Sequence, residues 1–284
     1  MSKLTLTAPA KLNLFLHING RRDDGYHELE SLFTLLDFGD ELTFQLIEAD
    51  TIDITGDVNG IPKEDNLIYK AAMSLITYRT VKKGVTVHLT KHLPMGGGVG
   101  GGSSDAATTL LALNILWNCQ LSLAELANIG LQLGADVPVF INGKTSLAQG
   151  VGEELTTFEQ AEKWFLVIAP DVHVSTAKIF TDPALPRNTP KLKSPWSMTE
   201  TRNDCEELVK KLYPEVEKTL TWLLKYAPSR MTGTGSCCFA TFDDEQTAQR
   251  VLQDIPCSWQ GFVAKSASES ITHKQLATWL NKEK

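Results

Sequence analysis

The chain opens with a clean alternation of apolar and polar residues over positions 4 to 19. Leu12, Leu14 and Leu16 fall on one side and Lys11, Asn13, Phe15 and His17 on the other, the two-residue period of a strand. Arg21-Arg22-Asp23-Asp24-Gly25 reads as a turn, and residues 28–47 carry further strand signal. Asp65-Asn66 starts a helix that runs to about Tyr78, and Val85 to Thr90 alternates again. Ser122 and Glu125 make a capping box for a helix reaching Leu133, with Gly134 placed to close it in a left-handed conformation. Ala135 to Phe140, with Pro138 inside it, then reads as a stiff exit, and 145–155 as a strand pair. Composition shifts over 156–163, after which an apolar strand from Trp164 to Ala169 begins a second unit. Residues 182–198, rich in Pro, Lys and Ser, read as a long loop. Helices are expected near 203–212, 214–226 and 244–254, a strand after Met231, another near 261–265, and a terminal helix. The pattern is that of an α+β sandwich in two units, 1–157 and 158–284, with no internal repeat.

One segment fits neither period. Six of the twenty glycines fall between positions 96 and 102, in PMGGGVGGGSSDAA. So many glycines in a strand or helix interior cost too much chain entropy, so the run is a loop whose backbone must come close to something. Ser103 or Ser104 can cap the apolar helix that follows, with Asp105 in its first turn. Free N–H groups and the positive end of a helix dipole together make an anion site, most often for a nucleotide phosphate. A flexible linker would not be framed by Leu93-Pro94-Met95 and an apolar helix. The run is not a P-loop, since no lysine follows Gly102, and a G-x-G-x-x-G match in so many glycines carries no weight.

Charge narrows the partners. With 27 basic and 34 acidic residues the formal net charge is −7, against a broad nucleic-acid-binding face. Phosphate recognition must then be local. The five cysteines form no C-x-x-C pair, which suits a reducing, cytoplasmic setting. The amino-terminal stretch lacks a signal-peptide core, and no apolar run approaches a membrane span. His88 and His92 sit four apart on a strand, about 13 Å, too far to share a metal. They read as surface residues.

Taken in order, PAKLNLFL, DDGYHELESLF, EDNLI, LPMGGGVGGGSSDAA, LGADVPVF and APSRMTGTGS resemble the GHMP kinase superfamily over essentially the whole chain. Val99 stands where that family usually has Leu, an apolar exchange. The resemblance implies a two-domain fold, an α/β ATP-binding domain followed by a ferredoxin-like one. It implies ATP with Mg²⁺ as cofactors and a small alcohol as acceptor. It places the nucleotide loop on Pro94, Met95, Gly96, Gly97, Gly98, Val99, Gly100, Gly101, Gly102, Ser103 and Ser104. It makes Asp136 the base and Lys11 the cation beside it, with Asn13 orienting substrate. A helix-end aspartate tied to local amides and a solvated strand lysine are the plain alternatives for that pair.

The DDGYH turn points, within the superfamily, to a cytidylylated polyol as acceptor. Tyr26 and Phe180 would stack on the base and His27 read its edge. Asn66 and Lys91 are assigned to the adenosine border, and Gly233 and Gly235 to the substrate phosphates. Ser103 and Ser104 stay open between helix cap, phosphate contact and Mg²⁺ ligand, so no metal ligand is assigned. Three competing readings are a mevalonate- or homoserine-type kinase, a non-catalytic nucleotide sensor and a structural interaction module. The first has no base to stack. The second has no need for both Asp136 and Lys11. The third leaves the glycine loop unexplained. Sequence does not speak to oligomeric state.

Overall fold

A computed structural model describes residues 3–58 and 60–282. Two long antiparallel strands, β1 (Leu4–Arg21) and β2 (His27–Ile47), are the spine. They are followed by β3 (Ile52–Gly56), α1 (Leu67–Leu75), β4 (Gly84–Thr90), α2 (Gly101–Leu116), α3 (Leu123–Leu133) and α4 (Val137–Asn142). A short pair, β5 (Ser146–Gln149) and β6 (Glu154–Thr157), closes the first half. The second half runs β7 (Trp164–Ala169), α5 (Thr176–Thr181), α6 (Glu206–Leu212), α7 (Pro214–Leu223), β8 (Ser229–Met231), β9 (Cys238–Phe242), α8 (Glu245–Gln253), β10 (Gln260–Ala267) and α9 (Ile271–Lys282).

The strand order β10-β7-β9-β8, antiparallel throughout, with α6–α7 and α8 as crossovers, is the ferredoxin-like arrangement expected for the second half. At Ser266↔Leu36 and Ala267↔Leu35, β10 also pairs with β2, which joins the two halves into one ten-stranded sheet. The last helix then returns to the first half. Thr272 Oγ1 donates to Thr7 O at 2.6 Å, Gln275 bonds Thr7 twice, and Leu276 enters the first core.

The alternation in β1 is real, yet from Ala8 to Ile18 neither face meets solvent. Its even residues enter three cores in turn: Leu4, Leu6 and Ala8 the first, Ala10, Leu12 and Leu14 the third, Leu16 and Ile18 the second. Register shifts at Pro9/Lys11 and Asn13/Leu16 separate those groups, so each bulge re-aims the strand. The odd residues Lys11, Asn13 and His17 are buried too, at 2–3% exposure. Phe15 leaves that polar set and packs edge-on against Trp196 in the third core. Alternation alone cannot tell a strand with one wet face from one whose polar face is covered by other chain segments.

Several local expectations are corrected. Helix α2 is capped by Gly100, at φ 77°, with no side-chain cap, so Ser103 and Ser104 lie inside the helix. Gly134 is extended, at φ 174°, not left-handed. The segment after it is not an irregular exit, because Pro138 sits in the first turn of α4, where a missing N–H costs nothing. The pattern also missed β3 and α5. Both are short, and β3 draws its stability from pairing parallel to β4. His88 and His92 are exposed, as expected.

Gly39 faces Pro9 across the first bulge, where an added Cβ would fall inside the Ala8 carbonyl. Replacing Gly39 by Ala therefore has to spread β1 from β2. The expected cost is at least ~1–3 kcal/mol, the range of overpacked cores. Denaturant unfolding with an unchanged midpoint would show that the strands part freely.

Candidate active site

The two glycine turns and β1 converge. In the first turn Gly96, Gly98 and Gly100 hold φ of 66°, 78° and 77°. A Cβ on Gly98 would lie 2.5 Å from Thr232 O in the second turn, and one on Gly100 would lie 2.7 Å from the Phe140 ring. Cys237 Sγ occupies the space a Gly97 Cβ would need. The turns are stitched by Cys237 N donating to Gly97 O, at 3.0 Å, and to β1 by Lys11 N donating to Val99 O, at 2.9 Å. Glycine is thus demanded both by backbone angle and by close approach.

Behind the loop runs a buried polar chain. The Lys11 ammonium lies 3.3 Å from Asp136 Oδ2, donates to Asn13 Oδ1 at 2.6 Å, and sits 5.1 Å from the centroid of the Phe33 ring. Asn13 Nδ2 donates to Ser31 Oγ at 2.8 Å, and that hydroxyl donates to Phe15 O at 2.6 Å. Every member has its donor direction fixed by the next. A lysine buried this deeply needs such partners. Asp136 is the N-cap residue of α4, but its side chain makes no capping bond, so the carboxylate is not consumed by local amides. Its side chain is 37% exposed while that of Lys11 is 4% exposed. The ion pair therefore has a sealed cation and an accessible carboxylate.

Two cavities, of about 510 and 530 Å³, flank this pair. The first is lined by Pro94 to Gly98, Gly100 to Ser103, Asn66, Lys91 and Asp105. The second is lined by Lys11, Asn13, Tyr26, His27, Phe180 and Gly233. Gly98, Ser103, Asp136 and Thr176 border both. Two loop residues assigned to the nucleotide lie elsewhere. Val99 is buried in the third core, and Ser104 is fully buried in α2. Gly235 also stays off the second cavity, its α-carbon backed by the Met231 sulfur.

In the second cavity the His27 and Phe180 rings lie 5.1 Å apart at 33°, while Tyr26 stands 65% exposed beside them. Burial, then the charges of Arg187 and Arg21, lower the His27 pKa, so the ring is neutral. At the other end, Asn66 caps α1 through its Oδ1. Lys91 is not a free cation: its ammonium bonds Asp40 and, at 3.1 Å, Asp105. Asp40 also accepts from the backbone N–H groups of His92 and Leu93, which anchors the entry to the glycine loop. Sequence reading missed Asp40 and Thr176 and took Asp105 for a first-turn residue of α2, where it lies one turn further in and bonds Lys91, because each acts through a partner distant in the chain. Thr176 bonds Thr234 through paired hydroxyls at 2.8 Å, closing the wall between the cavities.

Comparison with known proteins gives the class. A family model described as the GHMP kinases N terminal domain matches residues 66–144, and one described as the GHMP kinases C terminal matches 183–260. The chain belongs to the GHMP kinase family. A Pseudoalteromonas translucida (strain TAC 125) relative named 4-diphosphocytidyl-2-C-methyl-D-erythritol kinase is 62% identical over 98% of both chains. A Shewanella halifaxensis (strain HAW-EB4) protein of the same name is 56% identical over 95% of this chain and 96% of its own. A crystal structure of 4-(cytidine 5'-diphospho)-2C-methyl-D-erythritol kinase superposes with a TM-score of 0.82 at 29% identity, over 93% of this chain and 99% of that one.

The Lys91 cluster carries a pH signature. Burial, opposed by Lys91 and reinforced by Asp40, pushes the Asp105 pKa up to about 7. Between the ordinary carboxylate value and 7 the folded chain holds a proton that the unfolded chain has lost. This group's contribution is therefore greatest at low pH and is lost as pH rises toward and past 7. Asp105→Asn should flatten the fall in stability between pH 5 and pH 8. Parallel denaturant curves for both proteins at the two pH values check this. An unaltered slope would place the titration elsewhere.

Proposed function

We propose that the protein transfers the γ-phosphoryl of ATP to the 2-hydroxyl of 4-diphosphocytidyl-2-C-methyl-D-erythritol, a step of non-mevalonate isoprenoid precursor biosynthesis. The observation that carries this reading is the position of Asp136, on the wall common to both cavities and 3.3 Å from a sealed lysine. The named relatives supply the acceptor's identity. An acceptor without a base would leave the cavity of Tyr26, His27 and Phe180 unfilled, so the aromatic lining favours a cytidylyl group.

In this reading the triphosphate lies in the first cavity, along the N–H groups of the glycine loop. The 16-residue helix α2 starts there and adds its positive end. The loop's left-handed glycines leave no side chain between backbone and phosphate. The cytosine lies in the second cavity between Tyr26 and Phe180, with His27 at its edge and Gly233 near the diphosphate. The acceptor hydroxyl then meets the γ-phosphoryl group at the shared wall. Asp136 accepts its proton. Lys11 stays paired with the carboxylate and offsets the charge spreading over the transferring group. Asn13 orients Lys11 from behind.

Mg²⁺ fits this site as a companion of ATP. Among the described residues no group of three or more His, Cys, Asp and Glu could hold a metal ion. That suits an ion held mainly by phosphate oxygens and water. The Ser103 hydroxyl, on the shared wall, is the side-chain oxygen that would face such an ion while Asp136 stays with Lys11. When bound, the ion neutralises phosphate charge. The five free cysteines suit a reducing cytoplasm, and among the described residues no helix is long and apolar enough to cross a membrane. A division into units near residue 157 would give the nucleotide loop to the first unit and split the acceptor cavity, with Tyr26 and His27 from the first and Phe180 and Gly233 from the second.

An ADP-release assay with the cytidylylated acceptor beside mevalonate and homoserine tests the reading. Turnover with only the first is expected, and preference for either other acceptor would overturn it. For the chemistry, Asp136→Asn keeps the shape of the residue but cannot take a proton, so kcat should fall by about 10²–10⁴ with both substrates still bound. Lys11→Met should also lower kcat. The double variant should lose far less than the product of the single losses, because the pair acts as one unit. Near-normal turnover by Asp136→Asn would make the carboxylate structural.

A further inference from the structure

Arg187 lies in the proline-rich loop after α5, outside every stretch that pointed to function. Its guanidinium nonetheless holds the acceptor cavity together. Nη2 donates to Phe180 O at 2.9 Å and to Asp182 O at 2.7 Å, and Nη1 donates to Leu185 O at 3.1 Å. These bonds fix the carboxyl end of α5, the helix that carries Phe180. The Nε–H reaches across to His27 Nε2 at 3.0 Å. One planar fork thus ties the base-facing helix to the turn between β1 and β2.

That last bond has a chemical consequence. A guanidinium has no acceptor and stays protonated, so His27 Nε2 must be the acceptor. A neutral imidazole carries a single N–H, which must then be at Nδ1. The ring's one remaining polar group is a donor and cannot become an acceptor while Arg187 is in place. Pyrimidines differ at ring position 3 in this respect: cytosine offers an acceptor there and uracil a donor. We propose that Arg187 is a positioning residue that locks His27 as an Nδ1–H donor, so that the acceptor cavity selects cytosine over uracil at ring position 3. The proposal rests on the cytidylyl reading above and adds the residue that enforces it.

Two measurements test it. Nitrogen-15 NMR of the histidine rings in the intact wild-type protein at pH 7, with the His27 signals identified by their loss in His27→Gln, should show the neutral Nδ1–H tautomer. The Nε2–H tautomer, or an imidazolium, would overturn the proposal. In steady-state kinetics Arg187→Met should raise KM for the cytidylyl acceptor about tenfold, the scale of one lost directional hydrogen bond, with KM for ATP unchanged within about twofold. The preference for a cytidylyl over a uridylyl acceptor, measured as kcat/KM, should narrow by a similar factor. Arg187→Lys, which keeps one donor but not the fork, should recover part of it. A folded Arg187→Met protein with unchanged acceptor KM and preference, or with equal losses for both substrates, would overturn the assignment. If Arg187→Met does not fold, the tautomer in the wild-type protein still decides. If wild-type protein phosphorylates neither acceptor, the acceptor reading and the base selection fall together. The tautomer then reports on the Arg187 bond alone.

Discussion

The arrangement depends on one buried charge. Lys11 has almost no contact with water, and an ammonium in that position is tolerable only with partners on every side. Its partners come from separate parts of the chain. Asp136 comes from the start of α4, Asn13 from the same strand, the Phe33 ring from β2, and the Val99 carbonyl holds the lysine backbone. Satisfying this group forces the glycine loop, α4 and the β1–β2 spine to meet at one point. The second glycine turn joins through Thr232, whose Oγ1 accepts from Asn13 N at 2.9 Å. The geometry proposed for catalysis is therefore a by-product of keeping one cation solvated by protein.

The accessible member of the pair is the carboxylate. Had Asp136 capped its helix in the usual way, its oxygens would be taken up by α4 amides. Instead the helix starts with Pro138 in its first turn, which removes one N–H that would otherwise ask for a cap. A proline has thus freed an aspartate, and LGADVPVF reads as a device for presenting a carboxylate at a helix start without spending it.

Much of this was legible in the sequence because it is local. Glycine density marks a close backbone approach, a capping box marks α3, and PAKLN with LGAD names the ion pair once the family resemblance is seen. What stayed hidden is non-local. The polar face of β1 reads as solvated, since nothing in residues 4–19 says that α4 and a second glycine turn will cover it. Lys91 reads only as a residue of the adenosine border because Asp40, which holds its ammonium, lies 51 positions earlier in the chain. Ser103 and Ser104 read as caps by residue type, but a left-handed Gly100 can start a helix with no side chain at all. Arg187 carries no signal, being one basic residue in a loop, and only the fold brings it to His27, 160 positions away.

The return of α9 to β1 bears on how the chain is made. Thr7 is bonded by Gln275, 268 positions later, and β2 gains its β10 neighbour only through residues 266 and 267. β1 is thus completed only by residues far later in the chain than its own. Without β10 and α9, the stretch of β2 at Leu35 and Leu36, between its β5 and β4 neighbours, and the edge of the first core stay uncovered. Non-local pairings of this kind slow folding and leave sheet edges open to wrong partners. The first half carries the glycine loop and the ion pair, yet its scaffold is finished only by α9.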